Sequence, residues 1–215
     1  NQCIICKLRY EIVPLGTFSI FNFQFSIIMK VIETEIEGVF ILEPRVFGDD
    51  RGYFFESFSL KYFEEKVSKM VFVQDNESKS KYGVLRGLHY QLPPYTQAKL
   101  VRVVKGRVLD VAVDIRKGSP TFGKYVAVEL SEENKLQLFL SKGFAHGFIV
   151  LSDYAEFCYK VTDFYHPNDE GGLLWKDPEI GVEWPMPEGM TEADLTLSDK
   201  DKVWSGISEY VKNRK

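Results

Sequence analysis

The chain has 215 residues, 45% of them apolar, with 27 basic against 31 acidic side chains for a net charge of -4. That length and apolar content suit one domain with a substantial core and do not ask for two. The acidic balance argues against nucleic acid or an anionic membrane surface as the main partner, while leaving local basic side chains free to hold a small phosphorylated ligand.

Residues 1–28 differ from the rest. Asn22, Gln24 and Ser26 interrupt their apolar content, so no run approaches the ~18 apolar residues of a membrane span. Lys7 and Arg9 precede an apolar stretch, but no small-residue cleavage pattern follows it. We expect these residues to be an extension ahead of a natural start at Met29, outside the fold and without function, and residues 29–215 to form a single domain. Cys3, Cys6 and Cys158 make no disulfide framework, and Cys3-x-x-Cys6 lacks the second pair a zinc site needs. They read as reduced thiols of a cytoplasmic protein.

From Gly38 onward apolar residues alternate with period two, and Gly, Pro, Asn or Asp interrupts them about every eight to twelve residues. A short helix is expected after Ser59, where Leu60, Phe63 and Val67 share a face. In Leu109-Asp110-Val111-Ala112-Val113-Asp114-Ile115 the odd positions are apolar, so one face should pack and the other carry Asp110 and Asp114. Val126, Val128 and Leu130 repeat the alternation, as do Leu136, Leu138 and Leu140. Turns are expected at Lys105-Gly106, Lys117-Gly118-Ser119-Pro120, Ser131-Glu132-Glu133-Asn134 and Ser152-Asp153. The stretch from Pro167 to Gly189, anchored by Trp175 and Trp184, reads as a long packed connection. A second helix is expected after Ser198, with Val203, Ile207 and Val211 on one face. Many short strands and few helices predict an all-β fold, an antiparallel jelly-roll barrel with a few short peripheral helices.

The chemistry concentrates in Val84-Leu85-Arg86-Gly87-Leu88-His89-Tyr90 and in Lys99 of Gln97-Ala98-Lys99-Leu100-Val101-Arg102, polar heads inside segments that otherwise read as buried strand. Burying such heads is costly unless they meet a partner or a ligand. An imidazole is poised as a base near neutrality when a carboxylate fixes its tautomer; for His89 the alternative is a core histidine bonded to a backbone carbonyl. Arg86 and His89 have opposite parity on a plain strand, so both reach one pocket only if Gly87 marks a bulge. Lys99 shares parity with Val101 and Val103, where an ammonium could steady an enolate oxygen or make an ion pair with Asp110 or Asp114. Tyr159 shares parity with Phe157 and Val161, and its phenol could donate a proton or bond a backbone carbonyl. A metal site is not expected, because His89 stands without a second histidine two residues away and His166 precedes Pro167 in a turn-like stretch. Ser198-Asp199-Lys200-Asp201 fits a helix capping box, which alone accounts for Asp201.

Five ordered motifs carry a resemblance. They are Phe47-Gly48-Asp49-Asp50-Arg51-Gly52-Tyr53-Phe54-Phe55-Glu56, Phe72-Val73-Gln74-Asp75-Asn76-Glu77-Ser78, Leu85-Arg86-Gly87-Leu88-His89-Tyr90-Gln91, Gly143-Phe144-Ala145-His146-Gly147-Phe148 and Leu197-Ser198-Asp199-Lys200-Asp201. From about Gly38 to Val203 the chain resembles the dTDP-4-dehydrorhamnose 3,5-epimerases, nucleotide-sugar enzymes of L-rhamnose synthesis. The resemblance implies a cupin-type jelly roll, a homodimer whose N-terminal strands pair with the partner subunit, a dTDP-sugar substrate and a mechanism without cofactor. It implies that His89 removes the protons from C3 and C5 of the 4-keto sugar, that Asp201 holds its imidazole, that Lys99 stabilises the C4 enolate oxygen and that Tyr159 returns a proton at C5 from the opposite face. Arg51, Arg86 and Lys200 would meet the diphosphate or the sugar, Glu56, Gln74 and Asn76 would contribute to the nucleotide and sugar pocket, and His146 and Glu170 would line the ligand site. A related enzyme that epimerises one carbon or isomerises the ketone, and a sugar-nucleotide-binding barrel without activity, are the competing readings.

Overall fold

The computed structural model describes residues 29–213, so the extension expected over residues 1–28, with Cys3 and Cys6, lies outside the described residues. In chain order the strands are β1 (Lys30–Glu33), β2 (Val39–Glu43), β3 (Phe47–Asp49), β4 (Gly52–Phe54), β5 (Gln74–Lys81), β6 (Leu85–Gln91), β7 (Lys99–Lys105), β8 (Arg107–Asp114), β9 (Tyr125–Ser131), β10 (Gln137–Leu140), β11 (Phe144–Val150), β12 (Tyr154–Val161) and β13 (Glu170–Gly172), with helices α1 (Leu60–Lys66) and α2 (Ile207–Asn213) outside the sheets. They form a six-stranded sheet ordered β1-β2-β10-β7-β12-β5, a five-stranded sheet ordered β13-β6-β11-β8-β9, and a separate β3-β4 hairpin. The ladders within these sheets are antiparallel.

The expected jelly-roll barrel is therefore corrected: the sheets do not close. Strands β1 and β5 end the larger sheet, β13 and β9 end the smaller one, and no ladder joins the two among the described residues. Period-two alternation specifies a strand with one buried face, whereas closure requires edge strands distant in sequence to pair, which alternation does not encode. Strands β5 and β6 follow one another in sequence yet belong to different sheets, linked through Gly83 at φ +70°. At the free edge, β5 turns Lys79 and Lys81 outward, which discourages further strand addition.

The two sheets face each other across a shared core. Val101, Val103, Leu138, Leu140 and Phe157 come from the larger sheet and Val108, Ala112, Leu130, Phe144, Phe148 and Val150 from the smaller. A second apolar layer covers the outer face of the smaller sheet, where Val111, Val113, Ala145 and Ile149 meet Leu173, Trp175, Ile180, Trp184 and Leu195. This is the packed connection expected after Pro167, pinned by Trp184 Nε1 donating to the Trp175 carbonyl at 2.7 Å, although its start also pairs with β6 as the strand β13. The layering corrects the reading of β8. Its odd face packs under the connection, and its even face, expected to carry Asp110 and Asp114 outward, faces the inter-sheet core with both carboxylates fully buried.

Helix α1 forms where expected, with Ser59 Oγ accepting from Tyr62 N. Its Phe63 is buried among Phe58, Phe72 and Phe139 on the outer face of the larger sheet. The second helix starts later than expected, at Ile207, and the Ser198 segment is a series of turns. Val203 is 77% exposed and Val211 53% exposed, so the anticipated apolar face is not buried as a unit. Instead the Asp177 carboxylate accepts from Ile207 N at 2.9 Å and starts α2 from the connection. The expected turn at Lys105-Gly106 is present, and there a Cβ on Gly106, at φ +79°, would sit 2.0 Å from the Tyr154 carbonyl oxygen.

Because Phe63 joins α1 to the sheet almost alone among buried helix residues, Phe63→Ala is expected to cost about 3–5 kcal/mol. Urea unfolding followed by circular dichroism measures this, and a loss under about 1 kcal/mol would contradict the packing described.

Candidate active site

The site begins with a bulge. On β6 and β11, His89 pairs with His146 and Arg86 with Phe148, so three steps along β6 match two along β11. The extra residue brings Arg86 and His89 to the same face, the condition their opposite parity demanded. Gly87, at φ +131°, and Gly147 make it possible. A Cβ on Gly87 would lie 2.5 Å from Gly147 Cα, and one on Gly147 would lie 2.6 Å from the Arg86 carbonyl oxygen. Leu85 and Leu88, also three apart, both turn into the outer layer.

His89 Nε2 lies 2.5 Å from Asp201 Oδ1. The Asp201 side chain is buried while that of His89 stays partly open. Burial pushes the Asp201 carboxyl up, but the hydrogen bond to His89, with smaller contributions from Ser198 and Trp204, outweighs that and holds its pKa below the ordinary value. Only one half of the expected capping box is made: Asp201 N donates to Ser198 Oγ at 3.2 Å, but the Asp201 carboxylate goes to the imidazole.

A second imidazole and carboxylate lie beside the first. His146 Nε2 is 2.9 Å from Asp110 Oδ2 and 3.0 Å from Oδ1, with both residues buried. Burial lowers the His146 pKa, Asp110 opposes this, and the nearby charges of Lys99 and His89 add to the lowering. The sequence analysis weighed Asp110 as a partner for Lys99 but not for His146. The signal was available, since residues of both parities around it, from Val108 to Val113, are apolar, and a carboxylate in such a strand needs a buried donor.

From the facing sheet, Lys99 shares the inward parity of Val101 and Val103. Burial lowers its pKa to about 8, against the opposing attraction of Asp110 and Glu170. Neither ion pair weighed for it forms: Asp110 is bound to His146 and Asp114 to Arg116. Tyr159 packs at the margin of the inter-sheet core, where burial raises its phenol pKa and Arg86 partly offsets the rise. On β5 the residues Gln74, Asn76, Ser78 and Ser80 alternate inward, which gives the gap a polar wall. Gln74 Nε2 donates to Asn76 Oδ1 at 2.7 Å, Arg86 Nε donates to Ser80 Oγ at 2.9 Å, and Asn76 pairs with Tyr159.

At the mouth, Lys200 Nζ lies 2.5 Å from Glu170 Oε2, and the Tyr165 hydroxyl donates to the same oxygen at 3.1 Å. Burial would raise the Glu170 carboxyl, but these two bonds bring it below its usual value. The structure thus brings together His89, Asp201, His146, Lys99, Tyr159, Arg86, Gln74, Asn76, Glu170 and Lys200. Arg51 and Glu56 stand apart. Arg51, with a side chain 90% exposed, is paired with Asp49 in the β3-β4 turn, and no hydrogen bond or ion pair links either residue to the cluster among the described residues. No group of three or more His, Cys, Asp or Glu side chains among the described residues could hold a metal ion.

The family model of dTDP-4-dehydrorhamnose 3,5-epimerase matches residues 33–209. The chain belongs to this family. It is similar to the dTDP-4-dehydrorhamnose 3,5-epimerase of Shigella flexneri, 62% identical over 174 residues that span 80% of this chain and 93% of the relative. A crystal structure of dTDP-6-deoxy-D-glucose-3,5-epimerase from Legionella pneumophila, in complex with dTDP-4-keto-L-rhamnose, is 51% identical over 84% of this chain and 93% of that one, with a TM-score of 0.79. A 3'-monoepimerase from Streptomyces bikiniensis, in complex with dTDP-quinovose, is 33% identical over 83% of this chain and 88% of that one, with a TM-score of 0.76. Against this epimerase background Lys99, His146, Asp201 and Tyr159 are the groups whose surroundings shift their protonation.

A lysine whose folded pKa is about 8, against the ordinary 10.5, destabilises the fold while it is charged. Between those pH values the unfolded chain binds the extra proton, so stability rises with pH through this window. Lys99→Met is expected to resist urea better than the parent at pH 7, with the difference shrinking as pH approaches 10.5. Unfolding curves across that range check it; a variant weaker than the parent at pH 7 would reverse the sign.

Proposed function

We propose that the chain epimerises dTDP-4-dehydro-6-deoxy-D-glucose at C3 and C5, giving dTDP-4-dehydro-L-rhamnose without a cofactor, as a step of L-rhamnose synthesis. One observation carries the reading: an imidazole held by a buried carboxylate on one sheet and a phenol whose pKa burial raises on the other face one gap with Lys99. A proton beside a ketone can be removed when the resulting enolate is stabilised, and a preorganised cation does this best where water is scarce.

In this reading His89 uses the ring nitrogen that Asp201 leaves free to take the C5 proton. The electron pair moves to the C4 carbonyl oxygen, where Lys99 meets the developing charge. Tyr159 then gives its phenolic proton to C5 from the opposite face, which inverts the centre, and the proton on His89 returns to the phenolate through solvent. The same base then removes the C3 proton, the electron pair again moves to the C4 oxygen beside Lys99, C3 takes a proton from solvent on the opposite face, and His89 gives its proton back to solvent. Arg86 and Lys200 meet the diphosphate or the sugar, Gln74 and Asn76 contribute to the nucleotide and sugar pocket, and His146 and Glu170 line the ligand site.

Arg51 and Glu56 make no link to the gap among the described residues, so their part in binding requires assembly. We therefore read the enzyme as a homodimer. The place of β1 at a sheet edge among the described residues and the exposed Tyr53 (61%) and Phe54 (64%) beside Arg51 support this. Sedimentation equilibrium is expected to return twice the 24.8 kDa chain mass; a monomer at micromolar concentration would remove the role given to Arg51 and Glu56.

Solvent deuterium incorporation into dTDP-4-dehydro-6-deoxy-D-glucose, read by NMR in the presence of a chelator, tests the reaction. Label is expected at both C3 and C5. Label at one carbon would select a single-carbon enzyme, and label at neither would leave only binding. His89→Ala should lower exchange at both carbons by at least about a hundredfold, and Tyr159→Phe should impair inversion at C5 more than exchange; equal activity of His89→Ala and the parent would refute the assigned base.

A further inference from the structure

Gly172 of β13 is the register partner of His89. A Cβ on Gly172 would lie 2.4 Å from Trp204 Cε2 and 2.5 Å from Trp204 Cδ2 and Nε1. The indole therefore lies against the backbone of the residue paired with His89, where only a glycine leaves room. Trp204 Nε1 is buried, and it is the buried side-chain polar atom that lacks a hydrogen-bond partner of ordinary geometry among the described residues. Trp184, by contrast, places its N–H on the Trp175 carbonyl. An indole nitrogen can only donate, and a buried donor left alone is penalised. Asp201 is the acid in reach of this N–H: the indole is among the groups that hold its carboxylate ionised, after His89 and Ser198. His89 occupies Oδ1, and a carboxylate accepts on both oxygens.

We propose that Trp204 is a positioning residue for the His89–Asp201 pair, its indole N–H closing on the Asp201 carboxylate in the working enzyme. Such bonds are often long in the empty site and shorten when substrate is bound. With donors on two sides, the carboxylate cannot rotate away from the imidazole as the ring gains and loses its proton. The kinetic arm of this inference rests on the epimerase reading above; its structural arm does not.

Trp204→Phe keeps an aromatic ring against Gly172 and removes the N–H. Relative to the parent in the deuterium assay, kcat is expected to fall roughly tenfold, the loss typical of one charge-assisted hydrogen bond, with KM changed less than about twofold. The acid limb of the kcat profile should move to higher pH, since a carboxylate that loses a donor is easier to protonate. A ring that only packs would lower stability without moving that limb, so a Trp204→Phe enzyme with the parent's kcat and pH profile overturns the proposal. The structural arm uses the parent and Asp201→Asn in 15N NMR, with the Trp204 indole peak assigned by its absence in Trp204→Phe or, if that variant does not fold, in Trp204→Tyr. The peak is expected to shift when Asp201 loses its charge, and an unmoved peak overturns the contact. A parent that exchanges no deuterium sinks the epimerase reading alone, and the indole peak still decides the contact.

Discussion

The site depends on a place where two backbones come closer than side chains allow. Strands β6 and β11 meet at Gly87 and Gly147, where either Cβ would overlap the opposite main chain. That approach lets β6 carry one more residue than β11 between their paired positions. Without the extra residue Arg86 and His89 would point to opposite faces, one of them into the apolar layer beneath Trp175 and Trp184. A guanidinium or imidazole there would meet no donor or acceptor and would be expensive to bury. The bulge therefore decides whether the strand carries chemistry or only packing.

With both polar heads turned into the inter-sheet gap, electrostatics becomes a matter of pairing. Two carboxylates, Asp110 and Asp201, are nearly sealed from water, and each is held by an imidazole. Lys99 has no such bonded partner among the described residues, and burial lowers its pKa to about 8 despite the pull of Asp110 and Glu170. The arrangement leaves one cation destabilised among anions that are already engaged. Such a cation gains most when a new negative charge forms nearby, since attraction in a water-poor site is stronger than in bulk. An open sandwich suits this better than a closed barrel would. The polar inward residues of β5 can wall the gap because that strand is the edge of its sheet among the described residues.

How much of this was legible in the sequence varied with the range of the interaction involved. Local patterns were readable: alternation marked the strands, Ser59 marked the start of α1, and glycines marked the turns. Parity alone put Lys99 and Tyr159 inward and tied Arg86 and His89 to a bulge at Gly87. What failed was set by distant partners. Barrel closure depended on edges that do not pair among the described residues. The second helix began at Ile207 because Asp177, thirty residues earlier in the chain, supplied its first acceptor, so Ser198 was left to serve a turn. Asp110 was weighed as a partner for Lys99, and the apolar residues of both parities around it marked it as buried, but its actual donor, His146, sits on another strand that the local pattern does not name. Asp201 was the hardest, because a capping box and a dyad ask for the same residue at the same place.

That ambiguity is resolved by the connection rather than by the cap. From β13 the chain crosses the outer face of the smaller sheet, and Trp175, Ile180, Trp184 and Leu195 sink into it as successive apolar anchors. Leu85 N donates to the Thr196 carbonyl at 3.0 Å, and Thr196 N donates to the Gly83 carbonyl at 3.0 Å, tying the end of the connection to the start of β6. The anchors and this tie fix where Ser198 and Asp201 emerge, whatever the intervening loop does between Trp184 and Leu195. A carboxylate 112 positions away from its histidine in sequence can therefore be placed to within hydrogen-bond distance by burial of side chains that never touch the gap. The hydrophobic layer on one side of the sheet sets the protonation chemistry on the other.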